Sequence, residues 1–224
     1  MGNEIILLLS ALVDIIFVFL AARLGSKWLF GTVAINLILI NIFGAKLVDV
    51  FGFTTNAGNV FYACVFLATH FIFERRDGRY ARQTIFFGVG TVIVFVALSQ
   101  SAIVLLGAQS GEGIQKALQT IFLFSPRIAI ASILAYIFAQ QINITFYTWL
   151  KTRLKNKLLW LQSNGANIVA QLVDSTLFFT IAFLDLPGYT LLQAILAGWL
   201  IKSLVVMLGV PFLYLDRYLL RRDR

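Results

Sequence analysis

With one cysteine, one histidine and ten acidic residues among 224, the sequence leaves several kinds of chemistry without their usual groups. Cys64 alone excludes an internal disulfide and a cysteine-based metal site, and it reads as a small core residue. No HExxH occurs, and Ala108-Gln109-Ser110-Gly111 lacks the first glycine of a serine-protease elbow, which weighs against an intramembrane protease. The glycine-rich segment 107–113 has no lysine followed by serine or threonine, so it cradles no phosphate. No cofactor is expected. Basic residues are missing before the first apolar run, and Ala21-Ala22-Arg23 offers no good cleavage site, so the run is a span rather than a cleaved signal. Ile6 breaks the myristoylation pattern. Charge is scarce at 12%, whereas 60% of the residues are hydrophobic and the mean hydropathy is +0.89, far above the roughly 45–50% apolar content of a soluble domain. The chain is a polytopic membrane protein.

Apolar runs at about 4–22, 28–48, 57–73, 84–106, 120–141, 163–184 and 191–214 predict an all-α bundle of seven transmembrane helices in a single domain. The net charge of +8 sits in the short segments between runs, which makes nucleic acid a poor partner. With the amino terminus outside and the carboxyl terminus cytoplasmic, the cytoplasmic segments hold 14 of the 18 Lys and Arg. The exterior loops then hold only Lys116, and Lys46, Arg127 and Lys202 fall within spans. Trp28, Trp149 and Trp160 fall at cytoplasmic ends, where aromatic belts belong. The fourth span is nearly free of polar groups, with Gly88 and Gly90 for close packing, and is expected to be peripheral. The loop from Gly107 to Gln119 is expected to be irregular.

Polar residues inside the runs are the candidates for function. Ser125 can cap the fifth span and Pro126 suits its first turn. From Arg127, Ala131, Ala135 and Ala139 follow at four-residue spacing, a face that another helix can approach closely. Asp14 lies mid-run, either bonded to a neighbouring helix or taking part in coupling or binding. Lys46 and Asp49 are three apart and can pair with each other. His70 and Glu74 are four apart, and a boundary histidine paired to that glutamate is the expected arrangement. After a break at Ser163-Asn164-Gly165, Asn167, Gln171 and Asp174 stand at i, i+4 and i+7, one polar stripe on one face. Asp174 and Lys202 lie 13 and 15 residues from Pro187, at matching depth on consecutive antiparallel helices, and are expected to form an ion pair. At about 1.5 Å per residue both sit roughly 20 Å or less from that turn, with Arg127 on the outer side of the same layer. Together these groups make the floor and wall of an outward-facing pocket.

Ser125-Pro126-Arg127-Ile128-Ala129-Ile130-Ala131-Ser132 through Ala135-Tyr136 resembles the queuosine-precursor transporter family, also called the VUT family. So do Leu159-Trp160-Leu161 with Asn164-Gly165, Gln171-Leu172-Val173-Asp174-Ser175 with Phe178 and Thr180-Ile181-Ala182-Phe183, and Pro211-Phe212-Leu213-Tyr214-Leu215. The resemblance runs over about residues 36–215, including Asn41 through Lys46 and Glu74. It departs at Thr69-His70, where Thr-Asp is expected, and at Cys64-Val65, where a proline is usual. The first span looks like an addition to a six-helix core. The resemblance implies a carrier in the cytoplasmic membrane that imports 7-deazaguanine precursors of modified tRNA bases. A flat heterocycle of that kind needs acceptors, donors and a stacking face, which selects Arg127, Asp174, Gln171, Lys202, Asn167 and Asn41 as substrate-binding residues, with Phe178 or Tyr136 to stack. The substrate and the bilayer are the expected partners, and self-association into a homo-oligomer is left open. Two other classes remain. One is a retinal-binding seven-helix protein with Lys202 as Schiff-base lysine, and the other is a substrate-binding subunit of a multi-subunit vitamin transporter.

Overall fold

Six helices of the computed structural model are long and apolar enough to cross a membrane; it describes residues 2–44, 46–105, 112–122, 126–155, 157–184 and 187–222. In chain order the elements are α1 (Asn3–Leu24), α2 (Ser26–Phe43), β1 (Leu47–Val50), β2 (Phe53–Asn56), α3 (Asn59–Arg75) and α4 (Gly78–Val104). After them come α5 (Glu112–Phe122), α6 (Pro126–Arg153), α7 (Leu159–Ala182) and α8 (Gly188–Arg222). The six are α1, α2, α4, α6, α7 and α8, which makes the chain a multi-pass helical membrane protein.

α3 is apolar too, but at 17 residues it reaches only about 25 Å. It is the most enclosed helix. Every residue from Asn59 to Phe73 except Phe61 is buried, because α1, α2, α4, α6 and α8 all pack on it. A helix with no Asp, Glu, Lys or Arg before Glu74 has no charged face to keep in water and belongs in the centre of a bundle. α4 lies at the other extreme, with half of its apolar side chains exposed and few buried, as its lack of polar groups predicts.

Contacts sort the helix ends into two sets. At one end Asn3 Nδ2 donates to the Asp49 carbonyl at 2.9 Å and the Phe51 amide to Glu4 Oε1 at 3.2 Å, while β2 rests on α8. At the other, Arg76 Nε donates to Ser26 Oγ at 3.3 Å, Arg75 pairs with Asp216, and the Trp160 amide donates to the Tyr214 hydroxyl at 3.1 Å. α1, α3, α6 and α8 therefore run one way and α2, α4 and α7 the other.

Several boundaries differ from those read in the sequence, each for a local reason. The second span ends at Phe43 rather than 48, and β1 and β2 follow as an antiparallel hairpin with Leu47 opposite Asn56 and Val50 opposite Phe53. Its turn places Phe51 at φ 53° and Gly52 at φ 78°, the left-handed pair that a two-residue hairpin needs. Lys46 thus leaves the span and is exposed, and Asp49 Oδ1 accepts from Thr54 Oγ1 at 2.6 Å instead of pairing with it, because extended backbone removes the i, i+3 neighbour relation. The segment expected to be an irregular loop contains α5, and Ser110 lies outside the described residues. The break expected at Ser163-Asn164-Gly165 is continuous helix. Ser163 finds a buried partner, and Gly165 lets α7 come against Leu150 of α6.

Candidate functional site

α7 carries its polar stripe into the bundle. Asn167, Gln171, Asp174 and Ser175 are all buried, since α6 and α8 both pack on α7. α8 comes close at Gly198, which sits against Ser175 and Phe179, and Trp199 Nε1 donates to the Ile168 carbonyl at 2.9 Å. One turn further along α8, Lys202 Nζ donates to Asp174 Oδ2 at 2.6 Å. The expected ion pair is present, and both side chains are buried.

A third group completes the cluster. The Tyr62 hydroxyl of α3 donates to Asp174 Oδ1 at 2.5 Å, and Lys202 Nζ lies 4.7 Å from the centroid of the Tyr62 ring. Each carboxylate oxygen thus has one donor, and the ammonium also lies over an aromatic face. Sequence reasoning did not select Tyr62 for the site. Helical periodicity gives a residue's face, and it does not say which of five neighbouring helices that face meets.

Beside the ion pair the polar accounting does not close. Gln171 Nε2 donates to Asn167 Oδ1 at 3.2 Å, and this leaves Gln171 Oε1, Asn167 Nδ2 and Ser175 Oγ buried with no partner among the described residues. An unsatisfied buried polar atom costs about 1–3 kcal/mol. Two acceptor-capable atoms and one donor on the face that carries Asp174 are what a polar guest could satisfy.

Asn41 stands apart from this group. Its Nδ2 donates to the Leu37 carbonyl of its own helix at 2.7 Å, and it lines a narrow cleft with Leu37, Tyr62, Val92, Ser132 and Tyr136. Tyr62 and Tyr136 meet edge to face with centroids 6.4 Å apart, so this cleft and the ion pair share the Tyr62 ring. α6 begins at Pro126, as the proline suggests, and Ala131, Ala135 and Ala139 are buried as the four-residue spacing predicts. The Arg127 side chain and Ser125 lie outside what the structure describes. Phe178 belongs to an aromatic cluster with Phe179 and Phe183.

A second polar layer lies toward the end of α3 that carries Arg75. His70 does not pair with Glu74, as the sequence suggested, but is itself buried. Its Nε2 is 2.9 Å from Asn143 Oδ1 and its Nδ1 2.8 Å from Ser163 Oγ. Glu74 instead accepts from Lys151 Nζ at 2.6 Å and the Tyr147 hydroxyl at 3.1 Å, with Arg217 Nε at 3.6 Å. One carboxylate therefore ties α3 to α6 and α8. Among the described residues no group of three or more His, Cys, Asp or Glu could hold a metal ion.

Comparison with known proteins puts this arrangement in context. Residues 56–215 match the family described as "Putative vitamin uptake transporter". The chain is 30% identical over 226 residues to the "Probable queuosine precursor transporter" of Bacillus subtilis (strain 168), covering 100% of this chain and 98% of that one. It is 29% identical over 140 residues to the "Queuosine precursor transporter" of Escherichia coli (strain K12), covering 62% and 60% of the two chains. No solved structure matches. Relatives of this kind are transporters, and neither the retinal-binding nor the subunit reading is favoured beside them; the chain is not an enzyme. It belongs to the queuosine-precursor transporter family.

Proposed function

We propose that this protein imports a 7-deazaguanine precursor of a modified tRNA base across the cytoplasmic membrane by alternating access, leaving the base chemically unchanged. What carries the reading is the buried Asp174–Lys202–Tyr62 cluster beside unsatisfied amide groups, in a chain that aligns end to end with a queuosine precursor transporter. A deazaguanine is planar, with a carbonyl on one edge and amino and ring N–H donors beside it. Each Asp174 oxygen has a second lone-pair site to offer to that donor edge. Gln171 Oε1 and Asn167 Nδ2 supply one further acceptor and one donor. Arg127 is assigned to the carbonyl, and Tyr136 and Asn41 to the cleft by which the base reaches Tyr62. The same reading takes α3 as a seventh span, the hairpin end as exterior and the Arg75 end as cytoplasmic, in keeping with the 14 basic residues on that side.

A thermal-shift panel of purines, deazapurines and vitamins on the purified protein tests this. A ligand that binds only the folded state adds RT ln(1 + [L]/Kd), about 2.7 kcal/mol at a hundredfold excess over Kd. Deazaguanines should raise the melting temperature and adenine should not. A panel in which no deazaguanine shifts the transition would overturn the substrate.

A further inference from the structure

On the side of α3 away from the ion pair, α1 buries an acid that the substrate site does not use. Asp14 lies among fully buried apolar neighbours on its own helix, Ala11, Ile15 and Val18. Its Oδ1 accepts from Asn36 Nδ2 of α2 at 3.2 Å. Asp14 Oδ2 and Asn36 Oδ1 are both buried with no partner among the described residues. The Cys64 thiol of α3 adjoins the same carboxyl.

Among the described residues, the buried ionisable groups on the elements packed against α1, Cys64 aside, are engaged elsewhere. On α3, Tyr62 is held by Asp174, His70 by Asn143 and Ser163, Glu74 by Lys151, and Arg75 by Asp216. On α8, Lys202 is held by Asp174 and Arg217 faces Glu74. β1 offers Asp49, bonded to Thr54, and the Asn36 face of α2 has no ionisable group. Among the described residues no lysine or arginine is recorded in an ion pair with Asp14.

As an anion, Asp14 would be a charge inside an apolar bundle with a neutral amide and a thiol for company. A proton on Oδ2 changes this. Oδ2 becomes an O–H donor, and the spare acceptor on the side chain already bonded to this carboxyl is Asn36 Oδ1. Acid and amide then exchange two hydrogen bonds, Nδ2–H to Asp14 Oδ1 and Oδ2–H to Asn36 Oδ1, so that one proton satisfies both orphaned oxygens. A metal cation fits less well, because hard cations take a shell of several oxygens and the neighbouring positions Ala11, Ile15, Val33 and Leu37 are apolar.

We propose that Asp14 and Asn36 form a proton-binding site, and that a proton taken there from the outer solution and released to the cytoplasm drives uptake. Only the Oδ2–H bond is made and broken. The link to the substrate site is α3: residues two apart on a helix face nearly opposite ways, so Cys64 toward Asp14 and Tyr62 toward Asp174 place one rigid element between the two acids. The coupling claim rests on the transport reading above, and the proton site does not.

The experiment uses the purified full chain in liposomes, with two readouts. Infrared difference spectra between acidic and alkaline pH should show the carbonyl stretch of a protonated carboxylic acid that disappears in Asp14→Asn. If that variant fails to fold, Asp14→Glu keeps a protonatable group and should shift the band. In parallel, an acid-outside pH gradient should speed entry of a labelled deazaguanine several-fold in the wild type, and the ratio of rates with and without the gradient should fall to unity in Asp14→Asn. A missing Asp14-dependent band overturns the proton site. A gradient effect that survives in Asp14→Asn, or uptake that depends on sodium rather than pH, overturns the coupling. If the wild type takes up no deazaguanine, the transport reading falls with the coupling, and the infrared band still decides the proton site.

Discussion

At the scale of single residues, α7 and α8 share a charge pair that neither helix tolerates alone. Asp174 and Lys202 are both buried and each is the other's main compensation. Removing one partner of such a pair costs about 3–5 kcal/mol, while replacing both by neutral groups of similar shape is often tolerated. Asp174→Asn and Lys202→Met should therefore each lower the melting temperature and expression, and the double variant should recover most of the loss. A double variant less stable than either single one would contradict the pairing. This contact was legible in the sequence because both residues are counted from one turn, where helical rise fixes depth. The Tyr62 contact was not, because it depends on how α3 is rotated within the bundle. His70 was misassigned for a related reason. The i, i+4 rule offers Glu74, but in a buried helix Asn143 and Ser163 come closer from α6 and α7.

Among the elements, long apolar runs proved readable and short punctuation did not. The helices α1, α4, α7 and α8 fall near the expected runs, whereas Lys46 to Asn56 reads equally well as the end of one span and the start of the next. In a run of this length helical and strand patterns are hard to separate, and Phe51-Gly52 settles the matter only once its dihedrals are seen. The two glycines of α4 show a similar limit. Both were read as packing positions, but a Cβ at Gly88 would run into the Tyr136 hydroxyl and ring, while one at Gly90 meets nothing. Tyr136 also donates to the Thr84 carbonyl at 2.9 Å, so its ring cannot give way without breaking that bond. Gly88→Ala should destabilise the detergent-purified protein by about 1–3 kcal/mol, as overpacking does. Gly90→Ala should melt with the wild type, and equal behaviour of the two would contradict the packing at this crossing.

For the whole molecule, the contacts that sort helix ends into two sets agree with the distribution of basic residues. Lys46, now outside its span, joins Lys116 at the hairpin end, and among the described residues the opposite end keeps 13 of the 14 basic residues expected there. Single cysteines at Lys116, Arg79 and Lys157, all exposed, test the proposed orientation against a wild-type background in which buried Cys64 should stay unlabelled. An impermeant reagent should label only position 116 in intact cells, and labelling at 79 or 157 before permeabilisation would invert the topology. The central claim is that the buried pair between α7 and α8 binds a deazaguanine rather than merely holding the bundle together. The most direct measurement is uptake of a labelled deazaguanine by cells unable to make their own, comparing the wild type with the Asp174→Asn, Lys202→Met double variant at matched membrane expression. The wild type should take it up and a folded double variant should not; uptake at wild-type rates by that variant would contradict a binding role for the pair.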